Sequence, residues 1–392
     1  MKGKWNLGLI IFCISVIVGV IFGIGPIALL RNIILAVVDP VTLELFAIII
    51  LAIFLSNLLR EKGNLRNIVT SLETFVRNPR LSLIIPPAFM GLLPMPAGAL
   101  FSAPMVEEST RNLKINAENK TFLNYWFRHI WDYCWPLYPG LILAAAIFDV
   151  PIRKIIITQF PLTLAAIFAG LFFGMRKISF PQNLANNRKP REVFQGLLSF
   201  IINIWPILAI IFLVLVLKIE LILALLVITG IFLATTRMKG SKIFLAIRNS
   251  FSWEMLLIVA SVMIFKRTLE ISPLLSVIPT FFKDLGVSPL LFLFLIPFII
   301  GLLTGLTAAF VGITFPLLLP LICQSEPNLI YVMLAHAGGF AGVLLSPIHL
   351  CLIVTIQYFK ADFKKIYRIL LLPVAFVVLI ALVIVFMSQL WN

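Results

Sequence analysis

Charge is scarce in this chain. Only 12% of its 392 residues are Asp, Glu, Lys or Arg, against about a quarter in a soluble domain, which excludes an ordinary water-soluble fold. The longest polar stretches, 60–80, 107–120 and 176–192, are too short to be domains. Cysteine is scarce too. Cys13, Cys134, Cys323 and Cys351 show no C-x-x-C spacing, so neither a disulfide framework nor a zinc site is expected, and they read as small apolar packing residues. H-E-x-x-H, G-x-S-x-G and G-x-x-x-x-G-K-[ST] are all missing. Their absence argues against an enzyme and against ATP-driven transport by this chain alone.

What fills the chain is apolar: 61% of it is hydrophobic. Apolar segments recur at roughly 6–30, 40–59, 80–106, 121–150, 153–175, 194–217, 219–236, 253–267, 287–320, 328–359 and 365–388, and most are long enough to cross a bilayer. The first follows Met1-Lys2-Gly3-Lys4, exceeds a signal-peptide core in length and lacks an A-x-A site, so it reads as a retained helix. A net charge of +15 does not indicate nucleic acid, because the basic residues sit in short loops between spans, as the positive-inside rule requires.

Those loops also choose a topology. If all eleven segments span, the basic loops 176–191 and 237–248 fall outside. If 80–106 and 287–320 are re-entrant hairpins, then 60–80, 111–120, 176–191, 237–248 and 360–368 all fall inside. The second arrangement obeys the rule. The expectation is an all-α polytopic protein of the inner (cytoplasmic) cell membrane, embedded in the lipid bilayer. It has about nine spanning helices plus two hairpins, the N-terminus cytoplasmic and the C-terminus outside. Segment 64–78 reads as an interfacial helix, with Leu65, Ile68, Val69, Leu72 and Phe75 on one face.

The chain also repeats itself. Gly91-Leu92-Leu93 returns as Gly301-Leu302-Leu303, a spacing of 210 residues, and Leu43-Glu44-Leu45 returns as Trp253-Glu254-Met255. His129 and Pro139 return as His336 and Pro347 with a small deletion. The hairpin topology makes the two units inverted. The first repeat is 1–178, with its hairpin at about 80–106 and a broken helix at about 121–150. A linker loop and connecting helix occupy 179–211. The second repeat is 212–392, with its hairpin at about 287–320 and a broken helix at about 328–359. Inverted repeats around a midplane site are a common plan of secondary transporters.

Four stretches could carry a site. In the first hairpin, Pro94, Pro96, Ala97, Gly98 and Ser102 lie in a run too rich in proline and glycine for a regular helix. Opened backbone at membrane depth is tolerated where it lines a cavity, and its exposed N–H and C=O groups can bind ions. The second hairpin offers Thr304, Gly305, Thr307 and Thr314, although membrane threonines often bond their own i−4 carbonyl. The first broken helix gathers Arg128, His129 and Asp132, candidates for coupling or charge pairing. The second brings His336, which could relay protons, and Ser346 before Pro347, with His349 close behind. Glu44 and Glu254 read as interfacial first-turn acids.

These features resemble the ion-transporter superfamily of gluconate, citrate and C4-dicarboxylate permeases. Within it, Gly91-Leu-Leu-Pro-Met-Pro-Ala-Gly98 looks most like an uncharacterised integral-membrane family, domain of unknown function four hundred and one. The resemblance implies an elevator mechanism and a homodimer. The Ser-Asn-Thr signature of some dicarboxylate carriers is absent from both hairpins. The expected function is secondary active transport of a small organic anion, a carboxylate, with no cofactor beyond Na⁺ or H⁺ as coupling ion. The alternatives are a cation/proton antiporter, for which Asp132 would be the carboxylate, and a non-transporting scaffold or receptor.

Overall fold

A computed structural model describes residues 6–75, 78–92, 98–111, 113–176, 178, 190–275, 277, 284, 286, 288–323 and 326–390. Among them are eighteen α-helices and no strand of a sheet. The first nine are α1 (Leu7–Ile21), α2 (Pro26–Val37), α3 (Pro40–Lys62), α4 (Asn64–Phe75), α5 (Pro79–Gly91), α6 (Ala99–Ser109), α7 (Ala117–Arg128), α8 (Pro139–Ile147) and α9 (Ile152–Ala169). The rest are α10 (Pro190–Ile211), α11 (Leu221–Thr236), α12 (Gly240–Arg248), α13 (Trp253–Glu270), α14 (Pro289–Thr304), α15 (Thr307–Ile322), α16 (Leu329–Leu344), α17 (Leu350–Phe359) and α18 (Phe363–Leu390). Helices α9 and α10 each run on through one π turn, to Gly174 and Val216.

Helix ends follow local chemistry. Asp39 caps α3 by accepting from Val41 N, with Pro40 in the first turn. Gly63 closes α3 in the left-handed region, at φ 85°. Asn116 and Asn328 cap the starts of α7 and α16, their side chains accepting from backbone N–H groups of the first turn.

Among the described residues, four helices are long and apolar enough to cross a membrane: Pro40–Lys62, Ile152–Gly174, Arg191–Val216 and Phe363–Leu390. A fifth span arises if α12 and α13, bent by 41°, count as one. The outer surface is correspondingly apolar, with Ile27 85% and Trp253 77% exposed. Such a surface suits lipid rather than water, and the chain is a membrane protein. Many of the expected spans are shorter in fact. Segment 6–30 is two helices, because Gly23 (φ 73°), Gly25 and Pro26 break it.

Each expected hairpin segment contains two helices in contact: α5 with α6, and α14 with α15. Each expected broken helix is broken. Helix α7 ends at Arg128 and α8 begins at Pro139, while α16 ends at Leu344 and α17 begins at Leu350. The contacts between halves come in matched sets. Helix α1 packs on α13 and α3 on α11; α6 packs on α17 and α15 on α8; α9 packs on α16 and α18 on α7.

Glycines set the closest approaches. A Cβ on Gly301 of α14 would overlap the carbonyl oxygen of Gly339 in α16, and one on Gly342 would overlap that of Phe298. The helices therefore touch backbone to backbone, the usual reason for small residues between membrane helices. Helix α4 turns its apolar stripe toward the protein. Its buried Leu65, Ile68 and Leu72 belong to the protein core, and it packs along α10, where Ser71 Oγ donates to Ser199 Oγ at 2.8 Å.

Candidate functional site

Both helix breaks meet the hairpins. Arg128 closes α7, and its Nη1 donates to the Met90 carbonyl near the end of α5, at 3.1 Å. The same guanidinium lies against Gly98, where a Cβ would come within 2.5 Å of Nη1. Trp131 donates to Ala88 O at 2.8 Å, and the Tyr138 hydroxyl donates to Gly91 O. The first break thus grips the first hairpin by its backbone carbonyls. Pro94, Pro96 and Ala97 lie outside the described residues.

The second hairpin turns at Gly305, which adopts φ 64°, a backbone region that favours glycine. His349 Nδ1 donates to Gly305 O at 2.6 Å. The same turn meets the first half of the chain, since a Cβ on Gly140 would come within 2.6 Å of Thr307 Cγ2. One hairpin turn therefore touches both breaks.

Four helices begin at these turns and breaks: α6 after Gly98, α8 after Tyr138, α15 after Leu306 and α17 after His349. None of these four N-cap side chains accepts a hydrogen bond from its own first turn. Uncapped first-turn N–H groups carry the positive end of the helix dipole.

The two halves are stitched by polar side chains. Asn124 of α7 donates to Ala99 O and to Thr355 Oγ1 of α17, both at 3.1 Å. His336 Nε2 donates to the Asp132 carbonyl at 3.2 Å. Its ring lies among Phe310, Tyr133 and Phe340, and its Nδ1 has no hydrogen-bond partner among the described residues. His129 does not pair with its sequence counterpart His336. Its Nε2 faces His349 Nε2 at 3.2 Å instead. Cys351 completes a cluster whose three ligand atoms lie within 4.8 Å of one another. Buried Asp132 is within electrostatic reach of both rings and of Arg128.

The hydroxyl candidates divide. Thr304 and Thr314 bond the i−4 carbonyls of Ile300 and Phe310, each at 2.7 Å, the local alternative open to any helical threonine. Ser102, buried, is 3.5 Å from Gly98 O and 3.4 Å from Ala99 O. Ser346 is buried at the second break, where a Cβ on Gly305 would sit 3.0 Å from its Oγ. Glu44 and Glu254 are exposed. Asn124, Tyr138 and Cys351 are not among the candidates that the sequence singles out. An amide side chain inside the apolar segment 121–150 is the available signal for Asn124, while nothing local marks the other two.

The family model described as "Protein of unknown function (DUF401)" matches residues 1–388. No curated protein matches the chain. With almost its whole length covered, the chain belongs to this family of proteins of unknown function.

Proposed function

We propose that the chain is a secondary active transporter of a small organic anion, a carboxylate, driven by H⁺ or Na⁺. The carrying observation is four helix starts without side-chain caps that are linked at the hairpin turns: α6 lies beside the Arg128 guanidinium, α15 against Gly140 of α8, and α17 is bonded through His349 to the turn at Gly305. Helix N-termini and arginine forks both favour a carboxylate. Half-helices broken at membrane depth are how transporters build such sites. Gly98, Ser102, Gly305, Thr307 and Ser346 are the nearest backbone and hydroxyl partners on this reading, with Thr304 and Thr314 more remote because their hydroxyls are already bonded.

The matched packing of α1 on α13 with α3 on α11, and of α6 on α17 with α15 on α8, supports two inverted repeats, 1–178 and 212–392, joined by 179–211. On this plan 80–106 and 287–320 are re-entrant hairpins, and the resemblance to the ion-transporter superfamily extends the reading to a dimeric elevator. The orientation that follows puts the N-terminus in the cytoplasm and the C-terminus outside. His336 is the proton-coupling candidate, because it stands apart from the His129–His349 pair and keeps one ring nitrogen unpartnered among the described residues. Buried Asp132 favours a second reading, a cation/proton antiporter on the same scaffold.

The test is thermal stability of the detergent-purified chain against carboxylates, other small anions and monovalent cations at two pH values. A ligand specific to the folded state at a hundredfold excess over Kd adds about 2.7 kcal/mol, enough to read as a shifted melting temperature. A shift with a carboxylate is expected. A shift with sodium or pH alone transfers the assignment to the antiporter, and no shift with any carboxylate overturns the anion site.

A further inference from the structure

The rings of His129 and His349 are held in a way that leaves two lone pairs facing each other. His129 Nδ1 lies 2.7 Å from Tyr125 O and His349 Nδ1 lies 2.6 Å from Gly305 O. A carbonyl oxygen can only accept, so each Nδ1 carries a proton, and in a neutral imidazole the other nitrogen is then an acceptor. Those acceptors are the two Nε2 atoms, 3.2 Å apart in a buried place. Two facing lone pairs repel unless something positive lies between them.

Cys351 supplies a third donor at the same point. Its Sγ stands beside both rings, and all three ligand atoms fall within 4.8 Å of one another. Two Zn–N bonds of about 2.05 Å at the tetrahedral angle separate their nitrogens by about 3.3 Å, close to the 3.2 Å found. The carbonyls of Tyr125 and Gly305 do what outer-shell partners of metal-bound histidines do, fixing the tautomer and aiming the ring.

We propose that His129 Nε2, His349 Nε2 and Cys351 Sγ form a binding site for Zn²⁺, with three protein ligands and the fourth position open. Binding releases the thiol proton of Cys351 to solvent and leaves both imidazoles neutral. The cation would join the C-terminal end of α7 to the first turn of α17, drawing its ligands from both halves of the chain. Cys351 is partly exposed, which gives the ion its way in. Zinc binding goes beyond the anion-transport reading and is measured without it, so either can fail alone.

The experiment uses the full chain, purified in detergent with any affinity tag removed. Zinc content is measured by mass spectrometry, and affinity by competition with a chromophoric chelator. One zinc per chain is expected, with affinity falling at least tenfold in Cys351→Ser and in His349→Gln, and unchanged in Cys13→Ser. Cobalt(II) in place of zinc should give a thiolate-to-metal charge-transfer band that Cys351→Ser abolishes. Equal zinc affinity in wild type and Cys351→Ser overturns the site. If that variant does not fold, the cobalt spectrum of folded wild type decides alone: a spectrum without the thiolate band overturns the proposal. A proton merely shared between the two rings would give no bound zinc, and that result overturns it as well.

Discussion

His336 and Asp132, 204 positions apart in the chain, are joined by a hydrogen bond from the histidine Nε2 to the aspartate's backbone carbonyl, at 3.2 Å. The bond ties the middle of α16 to the break between α7 and α8. His336→Leu removes the donor and leaves a buried carbonyl unpaired, a loss of about 1–3 kcal/mol to be read as a lower melting temperature. His336→Gln keeps a donor and should cost less. Its informative readout is transport against pH: a flattened profile is expected if His336 moves the coupling proton, and an unchanged one confines it to holding the two halves together.

The contact between α14 and α16 tolerates no added carbon. Gly301→Ala drives a methyl into the Gly339 carbonyl and should destabilise by about 1–3 kcal/mol or more. Gly230, exposed on α11 with nothing within 4 Å of where a methyl would sit, behaves oppositely. Gly230→Ala should gain up to about 1 kcal/mol from helix propensity. Paired thermal melts check both signs.

Arg128 separates charge from shape. Arg128→Gln should abolish the carboxylate-dependent rise in melting temperature. Arg128→Lys should restore only part of it, because a single ammonium cannot reproduce a planar fork. A full shift in Arg128→Gln would remove Arg128 from the anion site.

The orientation is open to direct labelling. Lys114 is exposed just before α7, and replacing it spares the Asn116 cap, whose loss would cost about 1 kcal/mol. Lys114→Cys, in a Cys13→Ser, Cys323→Ser background, should react with an impermeant maleimide only after cells are opened. Reaction in intact cells would put this loop outside and sink the hairpin topology.

The breaks in the fold are legible in the sequence because proline and glycine act locally. Pro139-Gly140 and Ser346-Pro347 mark the ends of half-helices wherever the chain goes. Gly23, Gly25 and Pro26 carry the same signal, but it is submerged in a run apolar enough to pass for one span. Contacts between distant residues are not legible. Internal repetition sets His129 against His336, yet its ring meets His349, because side chains pair by position in space and not by place in a repeat. Cys351 reads as packing for the same reason: its partners come from 222 and 2 positions away, and no short spacing records that. The apolar stripe of α4 is plain in the sequence, but a stripe does not say whether lipid or α10 will cover it.

Gly305 is held from two sides: its carbonyl by His349 in one half of the molecule, and its neighbour Thr307 by Gly140 in the other. Swinging that hairpin turn outward would break its bond with one half and its contact with the other in the same stroke. The turn and the seam between the halves are then one object, and whatever loosens the seam frees the turn.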